Sequence, residues 1–190
     1  IRRRLAIRGK ESADALRRRH QPPSTEGFRV TGVRRFFGLL ALLGFVLSLI
    51  AHLASLTGFD VAAKYPYVWG LHVGIFVVFF PFVLMSRKTL GRKPSFAQIR
   101  ERFPLWVVAA GAIIFAYAML NFLLFGLRTE GGSPSTHDGK FVLEEHGRFI
   151  RELSPAEYTS LKANEVRGFS GHWLVFYYIP FAYFMFYREP

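Results

Sequence analysis

The sequence contains no cysteine. This excludes a disulfide framework, a thiolate zinc site, an iron–sulfur cluster and a cysteine nucleophile. Acidic residues are scarce: 13 Asp and Glu stand against 25 Lys and Arg, a formal net charge of +12. None of the acidic residues falls inside a long apolar block. An ion or proton carrier is expected to place a carboxylate at mid-membrane, so transport is not a leading reading. The chain also lacks a glycine-rich phosphate loop, a His-Glu-x-x-His motif, paired carboxylates within a span and any internal repeat. Phosphate-binding, zinc-protease and two-carboxylate chemistries therefore have no motif to rest on.

What the chain has in excess is apolar and aromatic. Of its 190 residues 51% are hydrophobic and 17% aromatic, with 21 Phe. These residues cluster in blocks, with the charges crowded between them, which is the pattern of a polytopic membrane protein. Four blocks read as spans: Phe37–Gly58, Tyr67–Ser86, Pro104–Gly126 and His172–Tyr187. A helix needs about 20 residues to cross a hydrocarbon core of about 30 Å, so the fourth block is short and Phe169–Gly171 must extend it. Pro81 and Pro180 fall inside the second and fourth blocks, where membrane helices tolerate them as kinks. The sequence opens on Ile1 rather than Met, so a chain trimmed at its N-terminus is expected. The first apolar block is too long for a cleavable signal peptide.

The connecting segments set an orientation. Residues 1–36 carry eleven Lys/Arg against three Asp/Glu, and residues 87–103 six against one. Loop 127–171 is nearly balanced. Basic segments stay on the cytoplasmic side, so both termini are expected in the cytoplasm and loop 127–171 outside. Arg2–Arg4 and Arg17–Arg19 are read as contacts to an anionic lipid surface, with no nucleic acid expected as a partner. Arginine far outnumbers lysine, the composition of a GC-rich bacterial genome, and the expected location is a bacterial inner membrane.

Finer signals divide the chain into a basic N-terminal segment (1–36), three spans (37–126), an extracytoplasmic loop (127–171) and a fourth span with a short end (172–190). Within the second of these, Ser95 is the expected N-cap of a short amphipathic helix over 95–103. Tyr65, Tyr67, Trp69 and Trp173 form an aromatic belt. In the loop, 127–139 reads as an irregular linker, and "KFVLEEHGRFIREL" reads as a hairpin turning at His146-Gly147. A helix then starts at Ser154, with Pro155 at its first position and Glu157 completing a capping box, and Gly168 is expected to stop it. The fold expected is an all-α membrane protein: four transmembrane helices with a small extracytoplasmic β-hairpin plus helix between spans three and four. Such a hairpin and helix bury too little alone and must lie on the spans or on another subunit.

Candidate site residues are the histidines His52, His72 and His172, all expected at similar depth near the outer ends of their spans. Neutral imidazole is the commonest ligand for haem iron, chlorin magnesium or a bare metal ion, so these three are the candidate cofactor ligands. On the first span Gly44, Ser48, Ala51 and Ser55 form a small-residue packing stripe bordering His52. Gly70 and Gly74 form another on the second span, and Asn121 is expected to bond across to a neighbouring span, with His52 as the candidate partner. The fourth block is aromatic all round, which suits lipid, a flat hydrophobic cofactor or a large partner surface.

Gly168-Phe169-Ser170-Gly171 resembles the Gly-x-Ser-Gly motif of the rhomboid intramembrane serine proteases over four residues. The resemblance implies Ser170 as nucleophile, with a histidine of another span, His52 or His72, as base. The alternative from helix chemistry is that Ser170 caps the fourth helix. Taken together, these features point first to a non-catalytic accessory or assembly subunit of a respiratory or photosynthetic type of membrane complex. The partners expected are the lipid bilayer and other membrane subunits, and nothing implies a soluble small-molecule substrate. A haem-, chlorin- or metal-binding membrane protein is the alternative, and an intramembrane hydrolase the third reading.

Overall fold

The computed structural model describes residues 25–189, with side-chain environments from residue 32 onward. Most of the basic segment 1–36, including Arg2–Arg4 and Arg17–Arg19, lies outside the described residues. The chain divides into two units, Ile1–Arg34 and Arg35–Pro190. The described part of the first is helical backbone belonging to α1 (Thr25–Leu56).

After α1 come a one-turn α2 (Val61–Lys64), a 3₁₀ turn (Pro66–Trp69), α3 (Gly70–Thr89), α4 (Phe96–Arg102) and α5 (Leu105–Arg128). A three-stranded antiparallel sheet follows, β1 (Ser133–His137), β2 (Lys140–Glu145) and β3 (Arg148–Glu152), in the order β1-β2-β3. The last element is α6 (Pro155–Phe186). Caps explain the starts of the helices outside the apolar blocks. Asp60 accepts from the Ala63 N–H at 3.0 Å, and Ser95 with Gln98 forms a capping box on α4. Ser154 and Glu157 form a second box on α6. Each satisfies backbone donors that the first helical turn leaves open.

Three helical stretches are long and apolar enough to cross a membrane: Gly32–Leu56, Pro66–Thr89 and Leu105–Arg128. Their outward faces carry large apolar side chains, among them Leu43, Ile50, Val73, Phe80, Ile113 and Leu123. In water such a surface would aggregate, whereas in a bilayer it meets lipid tails. Pro81 and Pro180 both sit within continuous helix.

Three expectations need correction. The extramembrane unit is a three-stranded sheet, not a hairpin, because the linker 127–139 contributes β1. Its turn was legible: Asp138-Gly139 is a two-residue loop with φ of 51° and 76°, the type I′ geometry that Asp-Gly favours, and His146-Gly147 repeats it at 51° and 82°. What hid β1 is its Ser-Pro-Ser-Thr composition, tolerable on an edge strand.

Gly168 does not stop a helix, and Ser170 caps none. The loop helix and the fourth block are one 32-residue helix, so the division at 171/172 falls inside α6. Gly168 is there for its size, since a Cβ would lie 2.6 Å from the ring of Phe125 on α5.

The aromatic fourth block does not chiefly face lipid or a partner. Trp173, Tyr177, Tyr183 and Phe184 are buried at the centre of the second unit. Glycines make the room: a Cβ at Gly44 or Gly74 would meet Tyr177, one at Gly111 Tyr178, and one at Gly38 Met185. In turn, a Cβ at Gly171 would meet the amide of Asn121. Between apolar helices in lipid there is little hydrophobic drive to associate, so this large-into-small fit and the bonds across it hold the helices together. Tyr177 Oη donates to the Leu71 carbonyl and Tyr178 Oη to the Val107 carbonyl, each at 2.7 Å. Such interhelical bonds contribute about 0.6 kcal/mol each on average. The Gly44, Ser48, Ala51, Ser55 stripe is buried as a packing face, whereas of the second stripe only Gly74 meets a neighbour and Gly70 faces open space.

The sheet rests on the first turns of α6 through Phe141 stacked on Tyr158 at 4.3 Å, with Val142, Leu143 and Leu153 buried. Arg151 ties it further, pairing with Glu130 before β1 and with Glu157 at the start of α6.

Candidate functional site

The continuous α6 brings the histidines to one level of the bundle, around residues 168–173, but to two different faces. With 100° per residue, Phe169, His172, Trp173 and Phe176 share one face, while Asn164, Arg167, Ser170 and Gly171 share the opposite one.

His52 belongs to the second face. It is 1% exposed, its Nδ1 lies 2.8 Å from Ser170 Oγ, and its Nε2 meets the hydroxyl of Tyr117 on α5. Ser170 Oγ also donates to the Arg167 carbonyl at 3.2 Å. A carbonyl can only accept, and this orders the protons. With Ser170 donating to Arg167, the matching tautomer has His52 Nδ1–H donating to Ser170 and Tyr117 O–H donating to Nε2. All three groups are satisfied while neutral. Asn121 Nδ2 joins the same carbonyl at 3.0 Å, so its partner across the helices is the backbone of α6 and not His52.

The resemblance to rhomboid proteases therefore meets a geometric answer. Ser170 and His52 do come together, and in that tautomer the proton runs from histidine to serine, the reverse of what activates a nucleophile. Ser170 is fully buried besides.

His72 and His172 stand on the other face, around a pocket of about 490 Å³. Helix α3 contributes His72, Ile75, Phe76 and Phe79. Helix α6 contributes Phe169, His172, Trp173 and Phe176, and α5 closes the wall with Phe122. Both helical sets have the spacing i, i+3, i+4, i+7, so two aromatic stripes face each other across the cavity. That volume lies within the range of ligand pockets, and the walls are almost wholly apolar. Phe122 stands edge-on to His172 at 5.0 Å and Phe169 edge-on to His72 at 5.8 Å, which limits how the imidazoles turn.

Their hydrogen bonds give the two rings opposite tautomers. Trp173 Nε1–H donates to His72 Nδ1 at 3.0 Å, so the His72 proton sits on Nε2. His172 Nδ1 lies 3.0 Å from the Gly168 carbonyl and must donate to it, which leaves His172 Nε2 with its lone pair. The two imidazoles that line the pocket are thus held as opposite tautomers. A histidine whose other nitrogen donates to a backbone carbonyl is the usual arrangement of a metal-ligating imidazole. His172 does not begin a helix, as expected from sequence, but sits well inside α6.

Among the described residues, no group of three or more His, Cys, Asp and Glu could hold a metal ion. A tetrapyrrole brings ring nitrogens of its own, so a single imidazole such as His172 could hold it through Nε2.

Tyr117, Phe122 and Trp173 were not singled out as site residues from sequence. The signal for the pocket was present in the two i, i+3, i+4, i+7 sets, but the second is visible only once residues 155–186 are read as a single helix.

Three apolar helices of spanning length define a multi-pass membrane protein. Against protein-family models, curated proteins and solved structures, the chain has no match.

Proposed function

We propose that this protein is a non-catalytic ligand carrier of a bacterial inner membrane, holding a flat hydrophobic cofactor of the haem or chlorin type between α3, α5 and α6. The observation that carries this reading is the bare Nε2 of His172, held by the Gly168 carbonyl beside an aromatic cavity. His172, through its bare Nε2, would hold the group, His72 would offer it an N–H through Nε2, and the phenylalanines would keep water from it. The bound group would supply light absorption or one-electron chemistry. The chain's part is to bind and orient it. His52 takes no part, since both its nitrogens are occupied.

This reading includes a fourth span over His172–Tyr187, with both termini cytoplasmic and the sheet outside. Its support is the charge distribution, the packing of α6 among the three apolar helices, and the position of the sheet between α5 and α6.

An absorption spectrum tests the function. Purified protein, or protein titrated with haemin, should show a Soret or chlorin band that vanishes or shifts in His172→Ala and stays unchanged in His52→Ala. A colourless protein that leaves added haemin in the micelle would refute the reading.

A second reading, an accessory subunit of a larger membrane complex, is favoured by one observation. Phe149 and Ile150 stand exposed on the edge strand β3, outside the apolar helices. Exposed apolar side chains on an edge strand invite a partner. Extraction in mild detergent should then give a species containing other chains, which Phe149→Lys dissociates.

A further inference from the structure

On the face of α6 opposite the histidine pocket, two side chains hold buried polar atoms that make no hydrogen bond. Asn164 is 3% exposed, and neither its amide nitrogen nor its oxygen has a hydrogen bond. Arg167 is 8% exposed, and its Nε and Nη2 likewise have none. The two residues are three apart, one above the other on the helix.

The particular nitrogens matter. Nε and Nη2 form one edge of the guanidinium, two parallel N–H donors whose spacing matches two oxygens of a phosphate or carboxylate. Asn164 adds an N–H from the adjacent turn. The charge matters as well. No described carboxylate forms an ion pair with Arg167. Burial and the neighbouring positive charge of Arg128, at the end of α5, both disfavour the charged guanidinium. Leaving a buried cation uncompensated beside a second cation is costly, and a neutral group cannot offset it.

We propose that Asn164 and Arg167 form a binding site for a phosphate-bearing anion, with Arg128 at its rim, at the end of the helices where the sheet sits. The guanidinium edge holds two phosphate oxygens and the Asn164 amide a third. The anion is either the headgroup phosphate of an anionic lipid or a free phosphate group. The site is separate from the histidine pocket and stands whether or not that pocket binds a tetrapyrrole.

The test is thermal unfolding of the delipidated full chain in a neutral detergent, followed by intrinsic fluorescence. Three additions are titrated: phosphatidylglycerol, phosphatidylcholine and inorganic phosphate. Phosphatidylglycerol should raise the midpoint in a saturable way and phosphatidylcholine should raise it less. A matching rise with inorganic phosphate identifies a free anion instead of a lipid as sufficient. Arg167→Met should unfold at a higher temperature than the native chain when no anion is present, because an unpaired charge has gone, and should lose the response to anion. That crossing is not expected of a residue that merely packs. Asn164→Leu keeps the charge and should bind the responding anion about ten-fold more weakly, the loss of one hydrogen bond to a charged group. If neither anion raises the midpoint, or if Arg167→Met and Asn164→Leu respond as the native chain does, the site does not exist. Should Arg167→Met fail to fold, the Asn164→Leu titration decides alone.

Discussion

His172 donates Nδ1–H to the carbonyl of Gly168, one turn back on its own helix, and so points a bare Nε2 away from that bond beside the pocket. Gly168 has no side chain because the Phe125 ring occupies that space. The same residue thus lets α5 pack close and gives His172 its tautomer. His72, bonded by Trp173 Nε1–H, holds the opposite one.

Nitrogen NMR of labelled protein should find the His172 proton on Nδ1 and the His72 proton on Nε2. One tautomer at both rings would remove the donor–acceptor pair on which the proposed binding mode rests. Trp173→Phe should free His72 to exchange tautomers while leaving His172 as it is.

The Gly44–Tyr177 contact should be the most sensitive point of helix packing. A Cβ at Gly44 would overlap the Tyr177 ring. Gly44→Ala should cost about 1–3 kcal/mol, the usual penalty of overpacking. Adding Tyr177→Leu should recover part of the loss in a double-mutant cycle on thermal or denaturant unfolding. Gly126→Ala, at a helical position with open space around it, should change stability by less than about 1 kcal/mol and in the stabilising direction.

Loss of either hydroxyl bonded to His52 leaves a buried ring nitrogen unpaired, which costs about 1–3 kcal/mol. Tyr117→Phe and Ser170→Ala should each destabilise within that range. Native protein should also fail to label with a fluorophosphonate, since Ser170 is buried and gives its proton to a carbonyl. Labelling that disappears in Ser170→Ala would restore the hydrolase reading.

Acid should loosen the start of α6. The Ser154 backbone and hydroxyl, followed by Arg151, hold the Glu157 carboxyl down at about 2 from its ordinary 4.5. A lowered pKa in the folded state means the contribution is whole above about 4.5 and is lost as pH falls from there through about 2. Hydrogen exchange at residues 158–161 should therefore quicken over that window. Glu157→Gln keeps a capping side chain and should flatten the dependence.

Cysteines introduced at Gly139, in the β1–β2 turn, and at Gly91, between α3 and α4, test the orientation in a chain that has none of its own. An impermeant thiol reagent should label Gly139→Cys in intact cells and spare Gly91→Cys. The reverse pattern would invert the proposed topology.

Much of this protein was readable in one dimension. Three spans follow from uncharged blocks of sufficient length, and the caps at Ser95 and Ser154 from local side-chain chemistry acting over three residues. The His146-Gly147 turn follows from the positive φ that the turn requires. Each is settled by neighbours in sequence. The fate of "RGFSGHW" was not. Glycine and serine at 168–171 read equally well as a helix stop and cap or as a gap for Phe125 and Asn121. Only contact with α5 chooses between them, because the first reading needs nothing beyond the segment and the second needs a partner 46 residues away. With α6 continuous, the rest follows by rotation. His172 and Trp173 turn toward His72, Ser170 turns toward His52, and Arg167 is carried into the interior without a counter-charge. Composition determined that the chain belongs in a membrane. Which histidine keeps a free nitrogen was decided by tertiary packing, because a ring's tautomer depends on the groups placed against it.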